Sequence, residues 1–304
     1  MSNKLRKLKR TRGQQDYDQA MSQAEERLKA MGHLAICVPM YGNPPAAFTT
    51  ALLDLDTNLK QSHPSYQVLT TNQAYIDMAR NDLVKRAFKS GATEILFLDQ
   101  DMGFPEDLYW RLKAHNVPVV SGLYFLRKPP HNPLIFDWAG TDRVDTFPRL
   151  NYEEGLIECG AVGMGATLIQ MDAIEAVLAW QMEQGDREKL IAPFLVRPPI
   201  GEDIYFAKNC QYAGVKVYCD TTLKLDHIGE NEVREVHFKL TSRYGSLEGA
   251  LERLEQVDGK VKLSDANLAL AVDAPVAPRQ PEPDGSAPAG RESQEVGAGS
   301  RSGG

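Results

Sequence analysis

Long apolar runs are missing from this 304-residue sequence. No segment approaches the roughly 20 consecutive apolar residues that a membrane-spanning helix needs, which excludes a helical membrane protein. Nor does an apolar stretch follow the basic residues Lys4, Arg6, Lys7, Lys9, Arg10 and Arg12, so no secretory signal is expected and the chain should be soluble and cytoplasmic. Cysteine is scarce. Cys37, Cys159, Cys210 and Cys219 form no CxxC pair and no short Cys/His spacing, which argues against a structural zinc or a disulfide framework and for buried free thiols. Positive charge is in deficit as well: a net charge of -7 disfavours whole-surface binding to nucleic acid. Only the short basic arm could meet phosphates or an acidic membrane surface, and a solvated terminus is the plainer reading. No internal repeat and no GxxxxGK phosphate loop occur.

What is present can bury one sizeable core, with 42% hydrophobic residues. Composition divides the chain into a basic and polar arm (1–31), a folded domain (32–258) and a Pro/Gly/Ser-rich tail (259–304) too poor in apolar surface to order.

Within the domain, His33 to Met40 reads as a buried strand ended by prolines and Gly42. Ala46 to Leu59 reads as a helix and Tyr66 to Thr70 as a strand. Between Ala74 and Ser90 the apolar residues Ile76, Ala79, Leu83, Val84, Ala87 and Phe88 fall at helical spacing, with basic residues before Gly91 as a stop. Glu94 to Leu98 is nearly continuous apolar sequence, as in a central strand covered on both faces. A helix from Pro105 to Ala114 and a strand from Pro118 to Leu123 follow. This alternation predicts an α/β fold with a right-handed, mainly parallel sheet. The second half is less regular: strands with turns over 134 to 170, a helix from Met171 to Gln184, a strand from Val215 to Asp220, and a last short helix marked by Leu247, Leu251 and Leu254.

In an open α/β sheet, ligands sit beyond the carboxyl ends of the strands. Asp99 and Asp101 stand at such an end. Residues two apart on an extended chain point to one side, so both carboxylates could converge on a hard cation, Mn²⁺ or Mg²⁺. Such an ion would neutralise charge growing on a nucleotide diphosphate leaving group. The alternative is a loop of turn-forming and helix-capping acids. Arg80 lies on or beside the apolar face of its helix and needs an anionic partner, either a donor phosphate or a structural carboxylate.

The run ARNDLVKRAFKSGATEILFLDQDMGFPEDLYWRLKAHNVPVVSGLYFLRKPP resembles the GT-A glycosyltransferases, especially compact phage and bacterial members of the glycosyltransferase family 2 type. There, an Arg-Asn helix precedes an apolar strand ending in Asp-x-Asp. The later run GEDIYFAKNCQYAGVKVYCDTTLKLDHIG resembles the same group's Glu-Asp helix start, strand and histidine. The resemblance covers roughly residues 33 to 230. It implies a GT-A-like, mainly parallel sheet flanked by helices, and a metal-dependent transfer of sugar from a nucleoside-diphosphate sugar to an acceptor hydroxyl. It also implies that Asp99 contacts the nucleotide side of the donor and shares in the metal site, that Asp101 is the direct metal ligand, and that His227 completes the metal or diphosphate site. Asp203 or Glu202 would be the base that deprotonates the acceptor, with inversion. Asn81 accompanies Arg80 by resemblance alone, and Pro39 and Tyr41 with Arg80 would hold the donor.

Gly160, Gly163 and Gly165 precede the apolar run Ala166 to Ile169. A comparable strand in the family lines the sugar and acceptor pocket, which would put Gly163 against the ligand; a β-bulge or tight backbone packing is the other reading. Arg127 and Lys128 suit either phosphate or an exposed loop. The Gln-x-x-Arg-Trp signature and membrane helices of processive synthases are missing, so one sugar per encounter is expected. The acceptor could be a glycan, a protein side chain, a small metabolite or a hydroxylated nucleic-acid base. A haloacid-dehalogenase-like phosphatase and a nucleotidyltransferase are the rival readings of the same Asp-x-Asp.

Overall fold

The computed structural model describes residues 31–246, apart from 74, 140–144, 185–191 and 230–231, together with residue 249. Residues 1–30 of the basic arm, the tail from 259, and the helix expected around Leu247, Leu251 and Leu254 lie outside the described residues.

Thirteen strands and six helices occur among the described residues. The first half alternates: β1 (Leu34–Met40), α1 (Ala46–Ser62), β2 (Tyr66–Asn72), α2 (Ile76–Lys89), β3 (Glu94–Leu98), the short β4 (Met102–Gly103), α3 (Leu108–Ala114) and β5 (Val119–Leu123). Then come β6 (Ile135–Ala139), β7 (Asp145–Pro148), β8 (Leu156–Cys159), β9 (Ala161–Val162), β10 (Ala166–Gln170) and α4 (Met171–Glu183). The chain closes through α5 (Glu202–Tyr212), β11 (Val217–Lys224), β12 (Asp226–Ile228), β13 (Glu232–Val233) and α6 (Glu235–Tyr244). The expected architecture, a central mainly parallel sheet flanked by helices, is what the structure holds.

The central sheet has seven strands in the order β2-β1-β3-β10-β5-β11-β8. β2, β1, β3, β5 and β11 run one way; β10 is antiparallel to both its neighbours, and β8 is antiparallel at the edge. Alternation along the central strands divides the core into two faces. Ala35, Cys37, Ile95 and Phe97 pack with Leu83, Val84 and Ala87 of α2, Ile174 and Val177 of α4, and Phe206 and Cys210 of α5. Leu34, Ile36, Val38, Leu96 and Leu98 pack with Phe48, Leu55 and Leu59 of α1 and Leu108 and Leu112 of α3. Each such fully buried large side chain contributes about 1.5–3 kcal/mol, so the sheet is held from both sides. All four cysteines are buried free thiols, as expected.

The parallel strands therefore end on one edge, and that edge carries the loops after β1, β2, β3 and β5. Among the described residues no helix is long and apolar enough to cross a membrane.

Candidate active site

α2 forms because its apolar residues recur on one side, and that side includes Arg80, which is 2% exposed. A guanidinium at such depth must be paired. Its Nε donates to Glu202 Oε1 at 3.1 Å, and its Nη2 donates to Asp99 Oδ2 at 3.0 Å. Its Cζ lies 5.2 Å from the centre of the Phe97 ring. Burial works against the charge, but the two carboxylates more than offset it, so Arg80 stays cationic. The partners that the structure gives Arg80 are carboxylates. Burial, with the Asp101 and Glu202 charges behind it, pushes the Asp99 carboxyl up against the pull of Arg80. Asp99 Oδ1 lies 2.9 Å from the same Nη2, and Arg80 Nη1 is buried without a hydrogen-bond partner.

Asp99 and Asp101 take different partners. The chain leaves its extended course after Leu98 and turns, Met102 N–H closing onto Asp99 O at 3.1 Å, so the two-residue alternation that would align the carboxylates does not apply. Asp99 turns to Arg80. Asp101 instead meets His227, because β4 pairs antiparallel with β12 and sets His227 opposite Met102. His227 Nδ1 donates to the Phe125 carbonyl at 2.7 Å. A carbonyl only accepts, so Nδ1 carries a proton, and the ring is held with Nε2 3.6 Å from Asp101 Oδ2. Arg127 Nη1 sits on the same oxygen at 3.1 Å. Burial raises the Asp101 carboxyl, yet the His227 contact and the Arg127 charge outweigh it and hold the group below its ordinary value.

Glu202 and Asp203 form the first turn of α5, behind Gly201 at its N-cap. They part ways at once. Glu202 pairs with Arg80. Asp203 Oδ1 accepts from Ile204 N–H at 2.8 Å. Burial, followed by the adjacent Glu202 charge, lifts the Asp203 carboxyl to about 6. A side chain on Gly201 would put its Cβ 2.7 Å from Asp203 Oδ1, so the glycine makes room for the carboxylate to fold back over the helix start.

Beyond β1 and β2 opens a cavity of about 590 Å³, lined by Pro39, Met40 and Tyr41 on one side and by Tyr75, Ile76 and Val196 on another. Pro39 and Tyr41 thus both line this cavity. Tyr41 N–H donates to the buried Gln100 Oε1 at 3.2 Å, which ties the cavity wall to the Asp-x-Asp turn. Asn81, by contrast, does not face the cavity as a ligand contact. Its amide grips the Phe194 backbone in both directions, Nδ2 to O at 2.6 Å and N–H to Oδ1 at 3.2 Å. Asp77 Oδ2 accepts from Val196 N–H at 3.2 Å. Through Asp77, Arg80 and Asn81, one helix fastens both the segment leading into α5 and the tip of β3.

No family model matches the sequence, and no curated protein sequence matches it. Solved structures resemble it in fold. A197 from STIV has a TM-score of 0.44 at 19% identity, over 65% of this chain and 86% of that one. A glycosyltransferase involved in the glycosylation of the major capsid of PBCV-1 has a TM-score of 0.29 at 9% identity, over 51% and 68%. A Drosophila β-1,4-galactosyltransferase 7 mutant, in complex with manganese, UDP-Gal and xylobiose, has a TM-score of 0.33 at 13% identity, over 66% and 69%. Likenesses this distant bear on neither substrate nor mechanism, so the chemistry rests on the side chains themselves.

Gly163 is buried, and the space its missing side chain leaves is filled: an added Cβ would stand 2.2 Å from Tyr124 Oη and 3.3 Å from Leu134 Cβ. Gly165 is just as close to Tyr124, and its N–H donates to Tyr124 Oη at 2.8 Å. Tight packing, not a ligand, accounts for these glycines. Among the described residues no group of three or more His, Cys, Asp or Glu side chains stands ready to hold a metal ion. The donor chemistry nonetheless fits a divalent ion, since Asp101 Oδ2 and His227 Nε2 face each other at 3.6 Å and ligand oxygens could complete the shell. Charge agrees: among the described residues the four carboxyls of Asp99, Asp101, Glu202 and Asp203 face two arginines, Arg80 and Arg127, besides His227.

Two functional features escape the sequence reading. Asp77 and the aromatic wall of Tyr75 occupy the carboxyl edge after β2, and that position in a parallel sheet is the signal that could have found them. Arg127's contact with Asp101 joins residues brought together only by the fold.

Proposed function

We propose that this protein is a metal-dependent glycosyltransferase that moves a sugar from a nucleoside-diphosphate sugar, a UDP- or GDP-sugar, to an acceptor hydroxyl, with inversion and one sugar per encounter. The observation that carries the reading is a nucleoside-sized cavity adjoining an over-acidic site in which Asp101 and His227 present facing donor atoms. An anionic diphosphate would be repelled from so acidic a site, so its binding calls for a cation. Mn²⁺ or Mg²⁺ held by Asp101 and His227 would supply Lewis-acid charge against the departing diphosphate.

The chain's own residues do the rest. Pro39 and Tyr41 bind the nucleoside, and the part-exposed Asp99 carboxylate faces the nucleotide while Arg80 fixes its direction. Asp203 accepts the acceptor's hydroxyl proton; the freed oxygen bonds to the anomeric carbon, and the carbon–oxygen bond to the β-phosphate breaks with its electron pair leaving on the nucleoside diphosphate. A single direct displacement of this kind inverts the anomeric centre. A carboxylate held near pH 6 is well matched to the task, since it is ionised at neutral pH yet basic enough to draw the proton as attack proceeds.

The experiment is incubation with UDP- and GDP-sugars, Mn²⁺ and a panel of hydroxylated glycans, peptides, metabolites and bases, with the released nucleotide identified. Nucleoside diphosphate release that Asp203→Asn abolishes supports the reading. Release of pyrophosphate from nucleoside triphosphates, or of phosphate from simple monoesters, would replace it with nucleotidyl transfer or phosphatase chemistry.

A further inference from the structure

The loop after β5 is built to hold a guanidinium over the site. Leu126 N–H donates to Asn132 O at 2.9 Å, and His131 N–H to Lys128 O at 3.0 Å. His131 Nδ1 donates back to Leu126 O at 2.9 Å, and Thr241 Oγ1 of α6 donates to Pro130 O at 2.8 Å. The backbone of the loop is thus fixed from within and from α6, while the Arg127 side chain at its tip keeps 47% of its surface exposed.

That side chain sets Nη1 3.1 Å from Asp101 Oδ2, the oxygen that also faces His227 Nε2. A carboxylate that is 15% exposed and desolvated needs a positive partner, and beside His227 the Arg127 guanidinium supplies a permanent charge. It occupies the electrostatic place a cation would take. A half-exposed ion pair is weak, so it can be exchanged at small cost, whereas a guanidinium beside a diphosphate gains strong, forked hydrogen bonds.

We propose that Arg127 is a cation placeholder and a diphosphate-binding residue: it covers Asp101 when no divalent ion is bound, and transfers its guanidinium to the diphosphate oxygens when ion and nucleotide arrive together. This rests on the functional reading above. It assigns the loop after β5 a role in ordering ligand entry, because Arg127 weakens the binding of the ion alone and strengthens the binding of ion with nucleotide.

The test measures Mn²⁺ binding to the full chain by the loss of the free-ion EPR signal, without nucleotide and then with UDP or GDP. The proteins compared are the wild type, Arg127→Gln, Arg127→Lys and Asp101→Asn. Removing the competing guanidinium in Arg127→Gln should tighten binding of Mn²⁺ alone by up to about fivefold, the size of an exposed ion pair. The same change should weaken binding of nucleoside diphosphate with Mn²⁺ by roughly tenfold or more, the worth of a charged hydrogen bond. Arg127→Lys, which keeps the charge, should lie between the wild type and Arg127→Gln in both. Shifts of one sign, or none, in Arg127→Gln alongside Asp101-dependent Mn²⁺ binding would overturn the placeholder and leave the functional reading standing. Wild-type protein that binds no Mn²⁺ under either condition would overturn both.

Discussion

Arg80 is the hinge pin between two acidic segments more than a hundred residues apart: its Nη2 donates to Asp99 Oδ2 at 3.0 Å while its Nε holds Glu202 at 3.1 Å. Replacing it by the similarly shaped Met leaves two desolvated carboxylates without their cation. Arg80→Met should therefore lose roughly 3–5 kcal/mol of stability at neutral pH, measured by denaturant unfolding. Part of that loss should return in mild acid, where the stranded carboxylates can take up protons.

Asp203 should make the protein less stable where it makes it active. Its carboxyl rises from 3.8 to about 6 on folding, so the folded state binds its proton more tightly than the unfolded chain does. The contribution to stability is then present below the unfolded value and is lost as pH rises through about 6. Asp203→Asn, which can keep the bond to Ile204 N–H, should gain on the order of 2 kcal/mol above pH 6 and gain little near pH 4. Unfolding curves of both proteins across that range check the sign.

The same group sets the acid limb of activity. Sugar transfer by the wild type, followed as kcat/KM, should fall below about pH 6 as Asp203 takes up its proton, and Asp203→Asn should be inactive at every pH. Glu202→Gln should behave differently, costing stability through Arg80 and moving the limb to lower pH, because the Glu202 charge helps to raise Asp203.

Asn81 offers a test of positioning. Asn81→Leu removes both bonds to the Phe194 backbone and should cost about 1–3 kcal/mol. Because that segment leads into the helix carrying Asp203, kcat should fall more than the affinity for the nucleotide.

Gly163→Ala probes the packing reading of the glycine run. The new Cβ would collide with Tyr124 Oη, so the substitution should destabilise the fold by about 1–3 kcal/mol, read from the melting temperature. A pocket-lining glycine would instead change ligand affinity with the fold unaffected.

Much of the first half of the fold is legible in the sequence because local signals there agree with the global arrangement. The apolar run from Glu94 to Leu98 becomes a fully buried strand, and the spacing from Ile76 to Phe88 becomes α2. The direction of β10 is not legible, since Ala166 to Gln170 reads the same whether it pairs parallel or antiparallel. α6 goes unmarked in the sequence reading although Val236, Leu240 and Tyr244 recur at i, i+4 and i+8; in the fold Phe238 stacks on Phe125 at 5.6 Å. In the site, residue types were readable and their partners were not. The Asp-x-Asp at a strand tip marks the place, but the turn that separates Asp99 from Asp101 depends on one backbone bond, and the meeting of Asp101 with His227 depends on β4 pairing with β12.

The most direct measurement is calorimetric titration of UDP and GDP into the wild type and Asp101→Asn, with Mn²⁺ and with chelator. The account predicts binding of one of the two nucleotides that requires Mn²⁺ and weakens about tenfold or more in Asp101→Asn. Equal affinity with chelator and with Mn²⁺, unchanged by Asp101→Asn, would contradict it.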